Sequence, residues 1–395
     1  MGLRPGKHGD ARHRALPDQR PHQRETPPRL CQDGRWVADR LNALARHLLA
    51  VWLAVCAAPL AAETLRVATW NIDAERKGPG LLLRDIQRGD PQIEAAAAIA
   101  ARIAPDILLL QGVDYDHDLL ALRALRDRFA AAGIAYPHLF ALRPNTGWPT
   151  GQDIDGDGRT GEPEDAVGYG RFSGQGGMAL LSRYPIDRAG ARDLSAVPWA
   201  ALPAALLSDD ERQPLLLRGA EASFPLASVA HWIVPLDTPQ GKVSLLALHA
   251  GPPVFDGPDD RNGRRNHDQI MFWIEVLNGS FGAVPTERFV VIGDTNQDPQ
   301  RGEGRKSAIR ALLSDPRLTD PRPVRSEAEG VARADLHATV AWPETDLPPM
   351  RVDYILPSRD WRVVDAGVYW PRAGDPAAEA ALASGHRLVW VDLAR

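Results

Sequence analysis

Seven polar residues stand where short apolar runs stop, and their types suit hydrolytic chemistry. Asn71 follows LRVATW, with Asp73 two residues on; His249 closes the run LLALH; Asp294 and Asn296 lie in FVVIGDTNQD. Asp353 lies in RVDYIL, and His386 comes just before LVWVDL. Near neutrality an imidazole can take a proton from water, which is otherwise a poor nucleophile. A carboxylate behind that imidazole would fix its tautomer and stabilise the imidazolium. Carboxylate and amide oxygens also suit a hard divalent cation. Each residue alone has an ordinary reading, because Asn and Asp after strands cap helices or close turns. Five such signals in one order carry more weight than any one of them.

A second pattern lies in DIDGDG. Asp153, Asp155 and Asp157 alternate, Gly158 follows, and Glu164 stands twelfth from Asp153 counted inclusively. That is the spacing of an EF-hand calcium loop: carboxylates at positions 1, 3 and 5, glycine at 6 for the turn, and a closing Glu at 12. Arg159 would offer a backbone carbonyl at position 7. Gly161 and Thr160 depart from the pattern, and no helical periods flank it, so a lone structural calcium loop is expected. A plain acidic surface turn is the alternative. Arg261, Arg264 and Arg265, shortly after His249, could clamp a phosphate or form a solvated helix start.

These residues need elements to hold them. Residues 65–70, 107–110, 178–182, 243–249, 289–293, 352–356 and 388–393 read as short strands. The unbroken run at 107–110 suits burial on both faces. Residues 93–103, 119–132 and 266–277 read as helices. Strands mixed with helices along one segment imply an α/β architecture of stacked sheets covered by helices. Residues 145–176, polar and rich in Gly, read as an inserted loop, and 319–335 as another excursion.

The chain has 395 residues and a formal charge of −5, unevenly spread. Residues 1–62 hold ten basic and five acidic side chains; the rest hold 36 and 46. An acidic body argues against broad non-specific binding of nucleic acid, so a nucleic-acid substrate is not indicated by charge. Both cysteines, Cys31 and Cys56, fall in 1–62, which leaves no disulfide or thiol chemistry to the body. Residues 1–35 read as disordered or as an over-extended start, and 36–62 as a signal peptide with cleavage after Ala62. Secretion or periplasmic export follows, with no membrane span in the mature chain. A monomer is expected, its body spanning 63–395.

The ordered set TWN, LHxxP, GDxNxD, VDYI and a late His before LVWVDL resembles the endonuclease/exonuclease/phosphatase superfamily, which includes DNase I-like nucleases, sphingomyelinases and inositol-phosphate phosphatases. The resemblance covers residues 65–393. PNTGWPTGQDIDGDGRTG followed by GQGGMALLSRYPI resembles an exported bacterial subgroup more narrowly. The resemblance implies a four-layer α/β sandwich and metal-assisted hydrolysis of a phosphate ester, diester or monoester, using magnesium or manganese. It implies that Asn71 and Asp294 hold phosphate or metal, and that Asn296 orients water or a phosphoryl oxygen. His386 would be the general base with Asp353 behind it, and His249 would bind the phosphate or act as an acid.

Two departures bear on the metal. Where the resemblance expects a Glu, the sequence reads Leu110-Gln111-Gly112; where it expects Ser-Asp-His, it reads Ser384-Gly385-His386. One reading moves the metal to nearby acids, Asp73 and Asp114 foremost, with Asp116 and Asp118 close by. The other is an impaired protein that binds a phosphate ligand without turnover. If both positions face the site, Gly112→Glu with Gly385→Asp should raise metal affinity.

Overall fold

Short apolar runs without a polar alternate need neighbours on both faces, and the fold supplies them. The strands are β1 (Leu65–Asn71), β2 (Ile107–Val113), β3 (His138–Phe140), β4 (Gly177–Ser182), β5 (Arg192–Asp193), β6 (Ala230–Thr238), β7 (Gly241–His249), β8 (Phe289–Asp294), β9 (Val324–Arg325), β10 (Asp353–Pro357), β11 (Arg362–Val368) and β12 (Val389–Ala394). The helices are α1 (Leu81–Gln87), α2 (Pro91–Ile103), α3 (Leu120–Ala131), α4 (Arg261–Leu277) and α5 (Lys306–Leu313). This computed structural model describes residues 64–207, 223–256, 260–326, 329–371 and 384–395. The expected disordered segment and signal peptide lie outside the described residues.

Two mixed sheets result. One has seven strands in the order β3-β4-β2-β1-β12-β11-β9, the other five in the order β10-β8-β7-β6-β5. Side chains alternate between two cores along the second sheet, as the strand period requires. On β7, Val243, Leu245 and Ala247 join β1 and β2 residues such as Val67 and Leu109 between the sheets. Leu246 and Leu248 instead pack with Ile270 and Trp273 of α4 and with Ile309 and Leu312 of α5. Helices α1–α3 bury Leu82, Ile93 and Phe129 in the first core. The molecule is thus the four-layer α/β sandwich expected, helices outside and two sheets within. Trp273 is fully buried, and truncating it to Ala would cost about 3–5 kcal/mol.

Helix boundaries follow local chemistry. Pro91 opens α2, and the Asp90 carboxylate accepts from Gln92 and Ile93 amides. Asp116 accepts from the amides of Leu120 and Ala121, at 2.7 and 2.9 Å, and so starts α3. Helix α4 begins five residues before the expected 266, because Asp256 in the preceding loop accepts from the amides of Asn262 and Gly263. Among the described residues, no helix is long and apolar enough to cross a membrane.

Strand register matters most for the site. β7 and β8 run parallel with His249 opposite Asp294, and β8 and β10 antiparallel with Asp353 opposite Asp294. Three chemically capable side chains therefore sit abreast at one end of the second sheet. In the first sheet, β1 ends at Asn71 beside Gln111 of β2, and β12 begins just after His386.

Candidate active site

Those ends meet across the two sheets. The Asn71 amide donates from Nδ2 to Asp294 Oδ2 at 3.1 Å, one partner from each sheet. His386 Nδ1 lies 3.0 and 3.2 Å from the two oxygens of Asp353, and 3.9 Å from Asp294 Oδ2. Asp294, Asp353 and His386 are all buried and converge tightly enough to be considered as metal ligands. The Nδ1–carboxylate bond makes an oriented base the simpler reading, with Nε2 left for proton transfer. Asp353 is itself held, because Thr339 Oγ1 donates to its Oδ2 at 2.7 Å. The Trp342 ring stands edge-on to His386 at 6.0 Å.

Electrostatics separate the two histidines. Burial opposes charge on His386, but Asp353, Asp294 and Asp73 outweigh it and raise its pKa to about 10. His249 goes the other way, because burial dominates and lowers its pKa despite Asp294. Its Nε2 is 3.6 Å from Asp294 Oδ2, and its Nδ1 is buried without a partner. A neutral His249 suits hydrogen-bond donation to a phosphate rather than acid catalysis. Asp294 is raised by burial and by the charge of Asp353. Asn296 donates its amide to Asp294 Oδ1 at 2.7 Å and its side chain to the Ala250 carbonyl at 2.9 Å. In the chain alone it braces Asp294 rather than facing open space.

A cleft of about 670 Å³ opens beside this group, with Asn71, Asp73, Glu75, Gly112 and His249 on its floor. Asp73 has a left-handed backbone, φ 47°. Its Oδ2 accepts from the Gly385 amide at 3.2 Å and lies 2.7 Å from Ser384 Oγ, which is equally close to the Asn71 carbonyl. Sequence reasoning missed Glu75. The residue as a whole is exposed, yet its carboxyl end turns inward over Gly112. Crowding there and the charges of Asp73 and Asp114 raise its pKa. Its place two residues after Asp73 was the available signal. Thr339 gave none, since its role depends on the Val340–His386 bridge that folds 339 back onto the site.

Several expected site residues have other tasks. Asp114 does not line the cleft; its oxygens accept from the amides of Arg76 at 2.9 Å and Gly176 at 3.0 Å, tying two loops together. Burial nonetheless pushes its pKa up to about 6. Arg265 lines the cleft but spends its guanidinium on backbone, donating to the carbonyls of Leu226, Val167, Pro225 and Ala227 at 2.7–3.0 Å. Arg264 is buried on the same helix. Arg261 lines the cleft and donates to the Ile154 carbonyl at 3.0 Å. A Cβ on Gly385 would lie 2.9 Å from Trp342 Nε1, so an added side chain there must displace that ring.

The acidic loop closes differently from the expected spacing. Asp153, Asp155 and Asp165 converge, while Glu164 lines the cleft. Pro163–Asp165 form a 3-10 turn that swings Asp165 inward, where its Oδ1 accepts from the Ile154 amide at 2.7 Å. Asp153 Oδ2 accepts from Gly158 at 2.8 Å, and Asp157 Oδ1 from Arg159 at 2.8 Å. Arg159 pairs with Glu162.

Among solved structures, one shares this architecture above a TM-score of 0.5 and others match more loosely. An endonuclease/exonuclease/phosphatase from Beutenbergia cavernae superposes with a TM-score of 0.51 at 20% identity, over 84% of this chain and 71% of that one. A Bacteroides thetaiotaomicron family protein gives 0.46 at 16% identity, over 84% and 98%. Sphingomyelinase C from Streptomyces griseocarneus gives 0.45 at 16% identity, over 84% and 100%. A search of curated proteins finds no match. The sequence profile of the Endonuclease/Exonuclease/phosphatase family matches residues 68–385, from the middle of β1 to the residue before His386, and the chain therefore belongs to that family.

Proposed function

We propose that this chain is a metal-dependent hydrolase of phosphate esters, with His386 as the general base and Asp353 orienting it. The observation that carries the reading is the buried Asp353–His386 bond, 3.0 Å long, beside the Asn71–Asp294 bond that joins the sheets. The family is one of phosphoesterases and nucleases. Asn71 Oδ1, Asp294 and the acids of the 73–75 loop make an oxygen-rich donor set, which suits a hard cation such as magnesium or manganese. Such a cation would offset negative charge growing on the phosphoryl oxygens. With the neighbouring acids so neutralised, His386 returns toward its ordinary range and can accept a proton.

In the reaction, water oxygen forms the new bond to phosphorus as His386 Nε2 takes its proton. The ester P–O bond breaks, and the departing oxygen takes a proton from solvent. His249, neutral, donates a hydrogen bond to the phosphate. Release of nitrophenol from bis-p-nitrophenyl phosphate tests the proposal; EDTA and His386→Ala should each abolish it. Unchanged turnover in His386→Ala would refute the role of the base. The presence of glycine at 112 and 385 favours a second reading, a binding protein without turnover. That protein would gain melting temperature from phosphate yet release no nitrophenol.

We also propose that the loop around Asp153, Asp155 and Asp165 takes calcium structurally. The apolar run in 36–62 supports export.

A further inference from the structure

We infer that Glu75, on the loop after β1, supplies the carboxylate that completes the divalent-cation site, in the space left by the missing side chain of Gly112. The inference rests on the metal-dependent reading above and identifies a ligand for it. Gly112 has φ +69°, and a Cβ built on it would lie 2.6 Å from Asn71 Oδ1, 3.1 Å from the Asp73 amide nitrogen and 3.2 Å from Glu75 Oε2. An amide oxygen and a carboxylate oxygen thus both approach within 3.2 Å of the position a Cβ on residue 112 would take, on the cleft side of the glycine. Hard cations take oxygen ligands at about 2.0–2.6 Å, so modest side-chain adjustment brings both into range. The position is open on one side, because Asn71, Glu75 and Gly112 all line the cleft.

Asp114 and the Oδ2 of Asp73 are already bonded, and those bonds hold the Glu75 loop in place. Asp114 accepts from the Arg76 amide, directly after Glu75, and Asp73 accepts from Ser384 and Gly385. Glu75 is therefore anchored on both sides in sequence. Among the described residues, no cationic side chain forms an ion pair with its carboxylate. The same geometry explains the glycine: any side chain at 112 would enter the space between Asn71 and Glu75. One loop, TWNIDAE, thus carries both the amide and the carboxylate, where the family resemblance expects the carboxylate from β2.

The test is calorimetric titration of the full chain with Mn²⁺ alone. An Asp153→Asn, Asp155→Asn background silences the acidic loop. Glu75→Gln should weaken binding roughly tenfold or more, and Glu75→Asp by less, with the melting temperature in EDTA unchanged for both. Binding in Glu75→Gln equal to that of the background overturns the inference while leaving the metal-dependent reading intact. No Mn²⁺ binding in the background itself overturns both.

Discussion

Gly112→Glu puts the structure against an expectation drawn from sequence, that together with Gly385→Asp it raises metal affinity if both positions face the site. At φ +69° a non-glycine residue pays about 1–2 kcal/mol in backbone strain. Its Cβ would also stand 2.6 Å from Asn71 Oδ1, so Asn71 must move. Two bonds depend on Asn71: its 3.1 Å donation to Asp294 and the 3.2 Å bond from the Asp73 amide to its Oδ1. Each is worth about 0.5–1.5 kcal/mol. The substitution should therefore destabilise by about 2–5 kcal/mol. At roughly 2 °C per kcal/mol for a domain of this size, the melting temperature falls by about 4–10 °C. Differential scanning calorimetry in EDTA measures this, and Gly112→Ala should show most of the loss, since strain and clash arise at Cβ. Mn²⁺ titration of Gly112→Glu should show weaker binding. A variant that melts at or above the wild-type temperature and binds Mn²⁺ more tightly would refute the reasoning.

Three further outcomes follow from the geometry. The folded pKa of His386, about 10, exceeds the ordinary 6.5, so its stabilisation is complete below pH 6.5 and is lost as pH rises toward 10. In EDTA the wild-type melting temperature should fall more steeply between pH 7 and 10 than that of His386→Gln; parallel curves would contradict this. Arg265→Lys keeps the charge but cannot reach four carbonyls. It should cost about 2–4 kcal/mol by urea denaturation without a matching loss of inorganic-phosphate affinity, and a phosphate-specific defect would restore the clamp reading. Asp155→Asn should abolish any calcium-dependent rise in melting temperature and Glu164→Gln should preserve it; the reverse pattern would return Glu164 to the loop.

Much of this was readable because buried strands leave unbroken apolar runs, and the chemistry sits where those runs stop. Asn71, His249, Asp294, Asp353 and His386 could be named on that ground. β6 was harder: His231 and Pro235 interrupt AHWIVPLDT, yet His231 is fully buried against Phe272. β11 was missed because much of it is exposed, as RVVDAGV suggests. Contacts with backbone carry no sequence signature, so Arg265 looked like a free cation and Asp114 like a free ligand. Spacing chose Glu164 for the acidic loop, but the turn at Pro163 rotates Asp165 into that place. Nothing in Ser-Gly-His reveals that Trp342 occupies the space beside Gly385.

The Asn71–Asp294 bond has a consequence for how activity is acquired. On the proposed mechanism each sheet holds half of the site: Asn71 and His386 come with one, and His249, Asp294 and Asp353 with the other. A folding intermediate with a single layer formed would have no fraction of the final rate. If the proposed activity holds, its return during refolding should not precede the joining of the two sheets at the Asn71–Asp294 bond.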